Sequence, residues 1–239
     1  MADEQLKTTD KDALLARPAA DATAAEELEA EVPASNPVII TIERDFGAEG
    51  HEIGKMLSQE LDLPFYDNEI LVRASARAGA PVDEVAAYDA RLAAELSAFL
   101  PDRTDARSAA DKLFGRVSSV IRDLGSVGPC ILVGRLSDYI LRENPNRIAV
   151  LVTAPEDYRV EVVRQKRGMT RKEARKLVRR MQKGREMYCH RYSAGKCEMH
   201  DGKDLVLNRE RFSREECVAI IAAAYRAKAA QVGSAGAKG

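Results

Sequence analysis

The feature that most constrains this chain is a short β-branched run, PVIITIE at residues 37–43, that passes through a glycine-containing loop straight into an amphipathic stretch, GHEIGKMLSQELDL. In that stretch Ile53, Met56, Leu57 and Leu61 share one helical face, whereas the first run is apolar throughout, as a strand buried on both sides must be. The pattern then repeats. LPFYD, PCILVGR, RIAVLVTAP and KDLVLN are four further short apolar runs, with helical stretches around residues 68–78, 82–99, 105–125 and 213–230. Strands separated by helices predict an α/β fold, a mainly parallel five-stranded sheet with helices on both faces. The ligand crevice of such a sheet lies beyond the carboxyl ends of its strands. Four places are therefore singled out: the loop 43–50, Asp67, the pair Gly134 and Arg135, and Pro155.

The 239 residues, 45% of them hydrophobic, suffice for one full core. Residues 1–36 are rich in Ala, Glu and Asp, include Pro18 and Pro33, and lack a strong apolar periodicity, so they read as a disordered acidic tail. Residues 231–239 read as a second disordered tail, which leaves 37–230 as the folded domain. Lys and Arg number 37 against 38 Asp and Glu, and a net charge of −1 gives the whole chain no bias toward nucleic acid or an anionic membrane. No apolar run approaches the roughly 18 residues of a membrane span and the acidic N-terminus lacks the pattern of a secretory signal, so a cytoplasmic location is expected. The four cysteines are expected to be reduced thiols.

The first loop, Phe46, Gly47, Ala48, Glu49, Gly50, His51 and Glu52, is placed to bind phosphate. Two glycines remove Cβ hindrance, and the helix that begins near Gly50 aims unpaired N–H groups and its positive dipole end at an anion. A plain strand-to-helix turn has the same glycines. The loop does not spell the Walker pattern G-x-x-x-x-G-K-[ST], and Lys55, more than one helical turn past Gly50, reads as a surface lysine. Arg135, directly after a buried strand, is placed to grip a phosphate or to pair with a neighbouring helix. Asp138 is placed to orient it, and Asp67 to touch an acceptor or to cap the next helix.

The run IITIERDFGAEGHEIGKMLSQELDLPFYDNEIL, then CILVGRLSDYIL, RRMQKGREMYCHRY and DLVLN together resemble the cytidylate kinase-like family, a branch of the P-loop nucleoside monophosphate kinases, over roughly residues 37–230. The resemblance implies a P-loop NTPase-like three-layer sandwich, ATP with Mg²⁺ as donor, a CMP-like nucleotide as acceptor, and a basic lid. Members of this branch typically read near R-Q-F-G-S-G-G-R-E-I-G at the loop. Here Glu49 stands in place of a glycine and His51 in place of an arginine, both expected to weaken anion binding. Glu52 stands where a conventional loop has a hydroxyl for magnesium. By the same resemblance Arg135 serves the acceptor, beside which Asp138 is counted as substrate-binding through Arg135 or as plain helix N-terminal charge complementarity, and Arg180, Lys183 and Arg185 are the lid cations, with Gln182 where an aspartate is common.

The lid, about residues 159–200, has Glu161, Glu173 and Glu186 as the only acids in its basic stretch 159–191. A solvated basic hairpin is the plainer reading of such a run, and nucleic-acid binding ranks below nucleotide binding because no stacking-aromatic pattern accompanies the charge. Cys189, His190, Cys197 and His200 are four potential zinc ligands, but their spacing is irregular and the two cysteines stand where the family has aromatics, so packing is the simpler account. No metal site is assigned.

Overall fold

The computed structural model describes residues 36–76, 104–193 and 200–236. Strands β1 (Ile39–Arg44), β2 (Phe65–Tyr66), β3 (Cys130–Val133), β4 (Arg147–Thr153) and β5 (Leu205–Asn208) form one sheet in the order β2-β3-β1-β4-β5. Every neighbouring pair is parallel, with Ile40 beside both Ile131 and Ile148. The helices are α1 (Gly50–Leu61), α2 (Glu69–Ala76), α3 (Thr104–Val127), α4 (Ser137–Ile140), α5 (Glu156–Arg167), α6 (Arg171–Tyr192) and α7 (Arg214–Gly236). The α/β fold expected from the alternating pattern is the fold observed. The helix expected over 82–99, the tail 1–35 and Cys197 lie outside the described residues.

Strand alternation decides which helices cover which face. Ile40, Ile42, Ile131, Val133, Val150 and Val152 pack with Ile53 and Leu57 of α1 and Ile221 of α7. Ile39, Leu132 and Leu151 face the other way, onto α2, α3 and Cys189 of α6. Each fully buried Ile or Leu stabilises by about 1.5–3 kcal/mol, so both faces contribute to one core. Helices α5 and α6 have a smaller core of their own, Val160, Val163, Ala174 and Val178, against which Phe46 of the loop packs.

Local chemistry sets the ends. Gly168 closes α5 in the left-handed region at φ 63°, and Thr170 with Glu173 forms a reciprocal capping box that starts α6. Helix α7 corrects the expected boundary, because it runs on to Gly236 instead of ending at 230. Val232 packs against the α1 side of the core and carries the last turns. Among the described residues no helix is long and apolar enough to cross a membrane.

Candidate functional site

The loop between β1 and α1 opens on a cleft of about 420 Å³, lined among others by Arg44, Gly47, Gly50, His51, Lys166 and Arg185. Arg44, the last residue of β1, organises it. A Cβ on Gly50 would lie 2.6 Å from Arg44 Cβ, and one on Gly134, at φ +75°, would collide with the Arg44 guanidinium. Two glycines thus make the channel through which this arginine crosses the carboxyl end of the sheet. Its Nη2 reaches Asp67 Oδ1 at 3.4 Å. Among the described residues no group accepts from the amides of Gly47, Glu49, Gly50 or His51, so a row of donors faces the cleft at the start of a twelve-residue helix.

Helix α6 closes the other side. The Gln182 side chain accepts from Phe46 N at 3.0 Å and donates to Asp45 Oδ1 at 2.8 Å. Asp45 Oδ2 also accepts from Thr153 Oγ1 at 2.5 Å, so its carboxylate is held from two elements. Gln182, where the resemblance leads one to expect an aspartate, thus ties the loop to α6 through both Phe46 and Asp45. Arg185, one turn on, donates to the Arg44 carbonyl at 2.7 Å and lies over the Phe46 ring, 5.4 Å from its centroid. Burial, then the nearby Arg44 guanidinium, push Arg185 down to about 9 against the pull of Glu43, Asp67 and Asp45. It is a cation at neutral pH that lacks a full complement of negative charge, which is what an anion would supply.

The altered loop positions are not left bare. Glu49 takes the left-handed conformation at φ 61°, where a glycine is usual, and its carboxylate turns to Arg209 at 2.7 Å and to Arg214. Burial alone would raise it, but those two guanidinium groups hold it below the usual carboxylate range. The negative charge expected from Glu49 at the loop is thus paired with two guanidinium groups, although the residue still lines the cleft. Glu52 pairs with Lys166 of α5. His51 Nδ1 lies 2.6 Å from Asp67 Oδ2.

Of the three lid cations only Arg185 reaches the cleft. Val178, Gln182, Arg185 and Cys189 share the inward face of α6, and at about 100° per residue Arg180 and Lys183 turn outward, where both are exposed. Asp138 corrects its assignment to the acceptor: it is 3% exposed and sealed against Lys203. Asp67 spends its carboxylate on Arg44 and His51 rather than on the start of α2. Arg135 is half-buried outside the cleft lining, within a left-handed run of Gly134, Arg135 and Leu136 that a bond from Leu136 N to Glu43 Oε1, 3.1 Å, steadies. Lys55 is exposed, and Cys189 belongs to the apolar core while His190 and His200 are exposed.

Sequence reasoning passed over Arg44 and Lys166. Arg44 carries the signal that drew notice to Arg135, a guanidinium at the end of a buried strand, whereas Lys166 is one of many cations on α5 and α6. The donors fit an anion: amides, Arg44 and Arg185 converge. They do not fit a protein-built magnesium site, because position 52 offers no hydroxyl, Glu52 is paired, and the described residues contain no cluster of three acidic, His or Cys ligands.

A parallel sheet with a strand–loop–helix anion site at its carboxyl edge defines a class of phosphate-handling α/β proteins. Over residues 39–211 the sequence matches the cytidylate kinase-like family, and the chain belongs to that family. A structure of an uncharacterized protein from Eubacterium ventriosum shares the fold at a TM-score of 0.57 and 21% identity, over 79% of this chain and 98% of that one. A Thermus thermophilus protein aligns at 0.49 with 18% identity, covering 79% and 98%, and a shikimate kinase from Bacteroides thetaiotaomicron at 0.47 with 12%, covering 77% and 95%. A search of the curated proteins finds no match.

Proposed function

We propose that this protein transfers the γ-phosphoryl group of ATP to a nucleoside monophosphate of the CMP type. The observation that carries this reading is the Arg44 guanidinium, held against Gly134 and Asp67 at a cleft that Arg185 and the open loop amides also line. Phosphoryl transfer needs positioning and charge stabilisation more than covalent help from protein. In this reading the amides from Gly47 to His51 hold the donor phosphates, and Arg44 and Arg185 balance charge on the group in transit. Arg135, presented by the strained turn after β3, serves the acceptor phosphate. ATP supplies the transferable group, and Mg²⁺ enters on its phosphates rather than on a site built by the chain.

The test is ADP formation from ATP with each nucleoside monophosphate offered in turn, CMP first. Turnover that depends on one acceptor supports the reading; folded protein that turns over none of them rejects it. A second reading, nucleotide binding without catalysis, is favoured by the Glu52–Lys166 pair at the position of the usual metal-binding hydroxyl. Thermal stabilisation by ATP with no turnover selects it.

A further inference from the structure

We propose that His51 is the loop's own cation and that it takes up a proton when an anionic ligand binds, so that nucleotide affinity is coupled to pH. The proposal rests on the phosphate-binding reading of the cleft and adds its regulation.

His51 directly follows Gly50, where the Walker pattern has its lysine. Its Nδ1 faces Asp67 Oδ2 at 2.6 Å, and Asp67 is 7% exposed. An ionised carboxylate only accepts, so Nδ1 carries the proton and the tautomer is fixed. The edge of the ring packs on Phe65, with centroids 5.4 Å apart. Nε2 is then the ring nitrogen left over. No described group bonds to it, and the side chain is 46% exposed and lines the cleft. In the neutral ring Nε2 presents a lone pair, which repels a phosphate oxygen. Adding one proton turns that lone pair into a charged donor, with Asp67 already in place to support the imidazolium.

The charges around His51 come from every element that borders the cleft. Arg44 and Asp45 end β1, Glu49 lies in the loop, Glu52 on α1, Asp67 after β2, Lys166 and Arg167 on α5, and Arg185 on α6. The carboxylates have partners: Asp45 has Thr153 and Gln182, Glu49 has Arg209 and Arg214, Glu52 has Lys166, and Asp67 has Arg44 and His51. Arg44 and Arg185 keep their charge through neutral pH. Among the described residues lining the cleft, His51 is the only side chain of a type that changes charge near pH 7. Glu43, which accepts from Leu136 N and interacts with both Arg44 and Arg185, is pushed up to about 7 by burial and then by Asp138 and changes charge in the same window, so the experiment needs an internal reference.

That reference is His51→Arg, which carries a permanent cation at the same place. ATP binding to the wild type, His51→Arg and His51→Gln is measured by calorimetry near pH 6 and near pH 8.5, in two buffers of different ionisation enthalpy. Between these pH values the wild type is expected to lose about tenfold more affinity than His51→Arg, and near pH 7 to take up more protons on binding than that variant does. His51→Gln is expected to bind weakly at both. Titration of the ATP phosphate and of Glu43 is common to all three and cancels. If ATP binds but wild type and His51→Arg lose affinity in parallel with equal proton uptake, the His51 proposal is wrong and the cleft stands. If the wild type binds no ATP at either pH, the phosphate-binding reading of the cleft falls, and this proposal with it.

Discussion

Glu43 and Arg44 are consecutive on β1, yet their side chains enter opposite electrostatic surroundings. Glu43 accepts from Leu136 N and lies near Asp138, whose carboxylate pairs with Lys203 at exposures of 5% and 1%. There two carboxylates share one buried lysine, and Asp138 Oδ1 has no partner among the described residues. Arg44 instead passes Gly50 to the open cleft, where its guanidinium pairs with Asp67 and lies near Arg185. On one side the charges are closed off from solvent. On the other, guanidinium groups border an open cleft. Only charges of the second kind are within reach of a ligand, which is why binding is proposed for the cleft and a structural role for the sealed side.

The largest effect that would test this contrast is on the sealed side. Lys203→Met leaves Asp138 as an unpaired buried charge and is expected to cost about 3–5 kcal/mol in urea unfolding, with part recovered when Asp138→Asn is added. A loss below about 1 kcal/mol would show that the pair is solvated and that the two sides do not differ as described. On the open side the effect is on rate. Arg185→Ala is expected to lower kcat/KM by about 10²–10³-fold while leaving thermal stability nearly unchanged, because it also removes repulsion with Arg44. A variant with wild-type turnover would remove Arg185 from the reaction.

The sheet was legible because a buried parallel strand must be apolar on both faces, as in CILV and AVLV, and because loops at its carboxyl edge are recognisable from order alone. That the loop between β1 and α1 borders the cleft was legible for the same reason. What single positions meet was not. Glu49 looked like repulsion because Arg209 and Arg214 lie 160 and 165 residues away in sequence. Gln182 looked like a defect because its partner Asp45 is 137 residues away. Lid cations could be counted in sequence, but choosing Arg185 over Arg180 and Lys183 requires the helical phase of α6 against a loop it does not adjoin in the chain.

A smaller effect tests the sealed side through pH. Burial, then the Asp138 carboxylate, raise Glu43 from 4.5 to about 7, partly offset by Arg44, Lys203 and Arg185. The folded state therefore binds this proton more tightly than the unfolded state. Its contribution to stability is complete below 4.5 and is lost as pH rises through about 7. Glu43→Gln keeps an acceptor for Leu136 N and cannot ionise. The variant is expected to match the wild type near pH 4.5 and to exceed it by about 2–3 kcal/mol above pH 7.5, read from urea midpoints against pH. Equal midpoints at both would mean that Glu43 ionises at no cost and that Lys203 and the arginines already balance the sealed side.

The smallest expected effect separates cations that belong to the cleft from cations that only border it. Arg180 and Lys183 stand on the outward face of α6, each two residues before a position that meets the loop or its neighbours, Gln182 and Arg185, and both are exposed. From there they act only through the long-range field, which salt screens over about 8 Å at physiological ionic strength. The double substitution Arg180→Ala, Lys183→Ala is therefore expected to leave kcat within about twofold and to raise KM for ATP slightly at low salt, with the difference gone near 0.15 M. A tenfold fall in kcat that persists in salt would mean that α6 turns about its axis during turnover. The Gln182 bonds to Phe46 and Asp45 would then have to break in every cycle, and the inward face that distinguishes Arg185 from its neighbours would hold only between turnovers.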